Sequence, residues 1–308
     1  MGHPLTVMTW NVRYFGHGLR GLRSTRGGMR RAARALATLV PLPDLVALQE
    51  VETRSLRSGL SPVPQLERFL AELHAHLAEL GRPERFRGLY FPAHSYRVRG
   101  SPALYTTGLA VLVGPGVVLE DDNATDPHDI THVRVQALAA LKQRRVVGHV
   151  RVRPADGGPS LDLFNTHLSL PAFFEVGPTK VPERMGHGSN QLEEIQRVLD
   201  FVQGRTQERA VLVGDFNTRP GSPAYRAVLA AGFHDAYATA NGLDDEALHA
   251  HATAGFGPRR MHIDHVFASE GVTWDTVDGF PFGERHAFHG VSDHTPKLGR
   301  LLLPREPA

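Results

Sequence analysis

Five short segments scattered over nearly the whole chain each end a hydrophobic run on a polar group. They are Thr-Trp-Asn at 9–11, Leu-Gln-Glu at 48–50, Asn-Thr-His at 165–167, Gly-Asp-Phe-Asn at 214–217 and Ser-Asp-His at 292–294, and Ile-Asp-His at 263–265 lies between the last two. Three-residue matches of this kind arise by chance in any chain of 308 residues. The ordered set constrains more than its parts. One site assembled from both halves of the sequence argues for a single domain over 1–308.

The hydrophobic fraction of 41% suffices for a substantial core. There is no cysteine, so neither a disulfide nor a Cys-ligated metal is available, and any metal must be held by oxygen or histidine nitrogen. MGHPLTVMTW lacks the basic start, apolar stretch and small-residue cleavage site of a secretory signal. No run approaches the roughly 18 apolar residues of a membrane helix. The expectation is a soluble, cytoplasmic, monomeric protein with no integral membrane association. The formal charge is only +2, yet Arg20, Arg23, Arg26, Arg30, Arg31 and Arg34 fall in a stretch without an acidic residue. Such a stretch can dock a polyanion, or it can be a solvated loop and helix face.

Residues 5–12 read as a buried strand, 29–39 as a helix, and 44–51 as a strand apolar on both faces. Residues 64–80 read as an amphipathic helix closed by Gly81. Strand-like runs follow at 86–92, 108–113, 133–141, 145–153 and 160–168, then a long irregular loop at 171–188. A helix is expected from Ser189, as N-cap, to Gln203, with Gly204 beyond its end. Strands at 210–216, 261–268, 272–280 and 297–303 and a helix near 222–231 complete the pattern. Without strict βα alternation, the sheets are expected to be mixed or antiparallel.

Glu50 ends an otherwise apolar strand, a costly place for a charge unless it is paired or metal-bound, and Asn11 ends the first strand in the same way. An oxygen-only site of this type suits Mg²⁺ or Mn²⁺, which takes one or two carboxylates and leaves room for substrate oxygens. Asp215 and Asn217 are two apart, so an extended chain would turn both side chains to one side and Phe216 into the core. Taken alone, the same motif is a β-turn sequence. Gly214 allows another backbone or a phosphate to come close. His167 and His294 are candidates for proton transfer near neutral pH, and a carboxylate such as Asp264 would fix the tautomer of a neighbouring imidazole. His265 is expected to be structural. His249, His251 and His262 lack a tight zinc-ligand spacing.

Over about residues 5–302 the ordered set resembles the endonuclease/exonuclease/phosphatase superfamily, which includes pancreatic deoxyribonuclease, abasic-site endonucleases, bacterial sphingomyelinases and inositol phosphatases. The resemblance implies an α/β four-layer sandwich, two mixed β-sheets flanked by helices, with the active site at one sheet edge. It implies that Asn11, Glu50 and Asp293 bind metal. It further implies that Asp215 orients the nucleophile or a second metal, and that Asn217 and His167 contact the phosphate, His167 also assisting the leaving group. Asp264 would pair with His294. The Asn-Thr-His-Leu form at 165–168 is that of the deoxyribonuclease and sphingomyelinase branches.

The implied activity is divalent-metal-dependent phosphodiester hydrolysis, with nucleic acid as the first substrate class. A sphingomyelinase-like phospholipase or a small-molecule phosphatase is the alternative. Phe173 and Phe174 in the 171–188 loop could form a membrane-inserting tip or pack within the loop. A catalytically inactive binding module is the non-enzymatic alternative, disfavoured because every catalytic side-chain type is present.

Overall fold

The computed structural model describes residues 3–19, 22–53, 55–59, 61–96, 105–132, 143–171, 184–206, 208–256 and 258–303. The strand expected at 133–141, most of the loop at 171–188 with Phe173 and Phe174, and Arg20 lie outside the described residues.

Two large mixed sheets flanked by helices form an α/β sandwich. The first sheet has the order β14 (Thr273–Gly279), β15 (Lys297–Leu303), β1 (His3–Asn11), β2 (Leu45–Val51), β4 (Tyr105–Val113), β3 (Arg87–Tyr96). The second runs β10 (Phe233–Asp235), β13 (Asp264–Ser269), β9 (Ala210–Asp215), β8 (Leu161–His167), β7 (Val146–Pro154), β5 (Val117–Asp122), with β6 (His128–Asp129) also paired to β7. A small hairpin joins β11 (Ala254–Phe256) to β12 (Arg259–Met261).

The first sheet is apolar on both faces because each face meets a different core. Leu5 and Val7 of β1, Leu45 and Ala47 of β2, and Val111 of β4 face the second sheet. The alternating residues Met8, Trp10, Val46, Leu48, Ala110 and Leu112 pack under helices α1 (Arg26–Ala37) and α2 (Gln65–Glu79). The period of two along each strand separates the two sets. The far face of the second sheet is covered by α3 (Ser189–Arg205) and α4 (Pro223–Ala230).

Most strand pairs are antiparallel, but β1 pairs with β2 and β8 with β9 in parallel. Parallel neighbours require a crossover, supplied here by α1 and α3 respectively. The consequence is positional: the C-terminal ends of β1 and β2 lie side by side, as do those of β8 and β9. Asn11, Glu50, His167 and Asp215 sit at those ends.

Two local expectations need correction, and two short helices had none. The run 261–268 is not one strand: β12 ends at Met261 and β13 begins at Asp264. The Oγ1 of Thr253 takes the Ile263 and Asp264 N–H groups at 3.1 and 3.0 Å, replacing ladder bonds there. Helix α3 is capped by Gly188 rather than Ser189 and runs through Gly204 to Arg205. Its start is set by Gln191, whose Oε1 accepts the Gly186 and Gly188 N–H groups at 3.0 and 3.2 Å. The short helices α5 (Ala236–Asn241) and α6 (Asp245–Ala250) were not anticipated, and both are capped by aspartate side chains, Asp235 and Asp244.

Candidate active site

The two sheets bring the named motifs to one edge, and register accounts for much of the arrangement. His167 and Asp264 both stand opposite Asp215, on β8 and β13, so three polar groups form one row across the second sheet. Gly214 is obligatory in that row. Its φ is 145°, and a Cβ there would lie 1.9 Å from the Thr166 carbonyl oxygen. The close approach is to backbone.

Asp215 and Asn217 do not share one face of an extended strand. The strand stops at Asp215, Asn217 turns to φ 48°, and its N–H donates to Asp215 Oδ1 at 3.0 Å. The motif is thus a turn closed by its own aspartate, with Phe216 buried beneath it. The Asn217 side chain donates to the Leu168 carbonyl at 2.9 Å and so fastens the turn to the end of β8.

Glu50 is reached by a different device. The β2–β4 register slips between Leu48 and Val51, and Glu50 has φ 55°. A bulge with a left-handed non-glycine residue re-aims a side chain that strict alternation would send elsewhere. Arg13, Tyr14 and Phe15 also have positive φ, 44°, 55° and 56°, in the turn that follows Asn11.

At the centre, His294 Nδ1 lies 2.9 Å from Asp264 Oδ2 and 3.1 Å from Oδ1. Thr253 Oγ1 donates to Asp264 Oδ2 at 2.7 Å. The other imidazole nitrogen, His294 Nε2, faces Asp215 Oδ2 at 3.8 Å, and His167 Nε2 is 3.5 Å from the same oxygen. Asn11 Nδ2 donates to Asp215 Oδ2 at 2.9 Å and to Glu50 Oε1 at 3.2 Å, bridging the two sheets. Its Oδ1 accepts the Arg13 N–H at 3.0 Å. Asp293 is ion-paired with Arg13 at 2.5 Å. Ser292 Oγ donates to the Asn11 carbonyl at 2.8 Å and holds the Ser-Asp-His segment against β1.

Charge crowding follows from this packing. Burial and the neighbouring Asp264 push Asp215 up to about 7. Burial pulls His294 down, but Asp264, Asp215 and the hydrogen bond to Asp264 together raise it well above its ordinary value. Burial, then Arg145 and His294, hold His167 well below. Glu50 is raised by burial against the opposing pull of His294.

Four contributors escaped the sequence reading. Gln49 Nε2 donates to Asn165 Oδ1 at 2.7 Å, and Asn165 Nδ2 to the Leu48 and Ala110 carbonyls at 3.1 Å, so two middle residues of the motifs tie the sheets together beneath the site. Arg145, just before β7, is 8% exposed, its Nε has no hydrogen-bond partner, and both Glu50 and His167 feel its charge. An arginine opening an apolar strand was the available signal. Thr253 carried none.

Other expectations resolve simply. His265 is fully buried, with Nε2 on the Thr218 carbonyl at 2.7 Å and Nδ1 on Asp235 at 3.1 Å. Among the described residues, His262 converges with Asp235 and His265, not with His249 and His251. Arg26 and Arg30 both bind Glu72 of α2 at 3.1 Å, so part of the arginine stretch is already neutralised.

Residues 8–294 match the profile of the Endonuclease/Exonuclease/phosphatase family. The chain belongs to this family. Endonuclease/exonuclease/phosphatase proteins are generally phosphoester hydrolases and usually use a divalent metal. The fold is shared with an endonuclease/exonuclease/phosphatase from Beutenbergia cavernae DSM 12333, at 22% identity and TM-score 0.62, over 97% of this chain and 72% of that one. A family protein from Leptotrichia buccalis C-1013-b aligns at 17% identity and TM-score 0.66, over 96% and 99% of the two chains. The human Nocturnin catalytic domain with bound sulfate anion aligns at 18% identity and TM-score 0.61, over 98% and 94%. A comparison with the curated proteins finds no match.

The donor set at the sheet edge fits a hard cation. The Glu50 carboxylate has the Asn11 amide as a partner and, among the described residues, no cationic side chain at ion-pair distance. Asp215 already accepts two N–H groups, and Asp293 is matched by Arg13. Glu50 is therefore the carboxylate with capacity to spare.

Proposed function

We propose that this protein is a divalent-metal-dependent phosphodiesterase whose substrate is nucleic acid. The observation that carries the reading is the convergence of His294, Asp264, Asp215 and His167 from four separated segments, with His294 Nδ1 on Asp264 at 2.9 Å and the Nε2 atoms of His294 and His167 at 3.8 and 3.5 Å from Asp215 Oδ2. Glu50 would hold Mg²⁺ or Mn²⁺, Asn11 joining it through Oδ1 once the amide that now turns Nδ2 to Glu50 is rotated over, and the cation would supply positive charge against the phosphoryl oxygens. Asp293, neutralised by Arg13, flanks that position.

The remaining roles fall to the chain's own side chains. Asp264 accepts from His294 Nδ1 and fixes the tautomer, which leaves Nε2 to take the proton of an attacking water. Asp215, across from that nitrogen, accepts the second hydrogen of the same water and sets its lone pair toward phosphorus. His167, which assists the leaving oxygen as its P–O bond breaks, and Arg145, whose Nε has no hydrogen-bond partner, are assigned to the charge that gathers on the phosphoryl oxygens, and Asn217 keeps the turn that presents Asp215. The sulfate on human Nocturnin, a tetrahedral oxyanion, is consistent with such a site.

A second reading, hydrolysis of phospholipid headgroups, draws support from Leu22 and Leu19, 80% and 48% exposed on the loop after β1. A panel of DNA, RNA, phospholipid vesicles and small phosphomonoesters with Mg²⁺ or Mn²⁺ separates the two. Preferential turnover of DNA or RNA is expected. Turnover confined to phospholipid or to phosphomonoesters would overturn the nuclease reading.

A further inference from the structure

Next to Thr253 lies a cavity of about 310 Å³. It is lined by Thr253, the residue whose hydroxyl holds Asp264, and by Tyr237, His251, Phe282, Arg260 and Lys297 among others. Among the described residues, no carboxylate lines it. Lys297 opens β15 and is 1% exposed. Its Nζ lies 3.6 Å from the centre of the Tyr237 ring, and among the described residues no acidic group stands within ion-pair distance of it. The two carboxylates it feels, Asp235 and Asp264, are committed elsewhere: Asp235 to His265 and the Tyr237 N–H, Asp264 to His294 and Thr253.

A buried ammonium without a counter-ion is costly unless a ligand brings one. The cavity also continues toward the reaction site. Arg260, Phe282 and Gly283 line both it and a larger cleft of about 710 Å³, which reaches Arg13, Ser292 and Asp293. Arg260 stacks on Phe282 with its guanidinium 5.1 Å from the ring centre, so a cationic group and an aromatic face stand at the junction. We propose that this cavity is a second anion subsite, binding a phosphomonoester group on Lys297, separate from the phosphate at the reacting centre. The inference deepens the reading above and rests on it for the identity of the anion: a substrate or product carrying a further phosphate beside the scissile one. Burial holds the Lys297 amine down to about 8, as expected of an amine awaiting a partner.

The test is inorganic phosphate binding by calorimetry to the metal-free full-length protein, for wild type, Lys297→Met, Arg260→Ala and Arg145→Met. Wild type should bind two phosphates. Lys297→Met should lose one of them, with affinity down at least tenfold, whereas Arg145→Met should lose the other and keep the one on Lys297. Arg260→Ala changes an exposed side chain and should weaken the same phosphate severalfold, which keeps the test valid if Lys297→Met folds poorly. Phosphate numbers and affinities untouched by both Lys297→Met and Arg260→Ala would overturn the subsite. Loss only in Arg145→Met would place the single anion at the reacting centre. Absence of turnover on any substrate would instead count against the phosphodiesterase reading, because the binding result needs no catalysis. A short oligonucleotide with and without a 5′-phosphate then distinguishes the sources. Tighter binding of the phosphorylated form, lost in Lys297→Met, assigns the phosphate to a polynucleotide, and binding of a nucleoside monophosphate alone assigns it to a free product.

Discussion

His294 Nδ1 sits 2.9 Å from Asp264 Oδ2, although the residues belong to different sheets' ends and are separated by the whole of β14. Asp264 is fixed in turn by Thr253, and Trp10 Nε1 donates to the His294 carbonyl at 3.1 Å, so the pair is held from both sides. In the proposed mechanism this pair is the base and its orienter. Replacing His294 by Ala should lower kcat by roughly 10²–10⁴-fold, the usual worth of a general base, while the melting temperature stays close to wild type. A normal kcat, or a collapse in melting temperature that explains the loss, would remove His294 from the mechanism.

Asp264→Asn should change the pH profile as well as the rate. The carboxylate is a main cause of the upward shift of His294. A base must be deprotonated to act, so activity rises with pH through its pKa. Removing the carboxylate lowers that pKa, and the acid limb of kcat/KM should move to lower pH even as kcat falls. An acid limb that stays in place would show that Asp264 does not govern His294.

The pair Gln49–Asn165 makes a prediction about stability. Asn165→Leu removes the buried donor to the Leu48 and Ala110 carbonyls and strips Gln49 Nε2 of its shortest hydrogen bond, at 2.7 Å, leaving it Thr9 Oγ1 at 3.1 Å. A loss of roughly 2–4 kcal/mol is expected from unsatisfied groups of this kind, read from urea denaturation. Gln49→Leu added to Asn165→Leu should cost less than the sum of the two, because they break one network.

Lys297 gives a pH-dependent difference with a defined sign. Its folded-state pKa is lowered to about 8, against roughly 10.4 in an unfolded chain. Below the folded value both states carry the charge and the burial penalty is complete; as pH rises toward the unfolded value the penalty fades. In phosphate-free buffer Lys297→Met should therefore melt higher than wild type near neutral pH, with the gap closing in alkali. A constant gap would contradict a buried, unpaired ammonium.

What the sequence made legible follows a physical line. The runs ending in Asn11, Glu50, His167 and Asp215 are short and strongly apolar, so strands and their polar ends could be read locally. The antiparallel or mixed character also followed from the order of elements. Contacts made between sheets could not be read this way. Gln49 and Asn165 look like interchangeable middle residues until two sheets stack, and Arg145 looks like one of many arginines until Glu50 and His167 lie beside it. The break at His262–Ile263 was hidden because a side chain, Thr253, replaces the ladder without altering the apolar pattern. Helices α5 and α6, six residues each, are too short to show a period and are started by caps.

If Glu50 and the base work on one phosphodiester with a divalent cation, the reaction rate must follow the metal that Glu50 holds, and a metal titration reads this. Hydrolysis of a DNA or RNA substrate should be abolished by EDTA and restored by excess Mg²⁺ or Mn²⁺, and Glu50→Gln should require at least about tenfold more metal for half-maximal rate. Undiminished turnover in excess EDTA, or a Glu50→Gln titration that superimposes on wild type, would contradict the account.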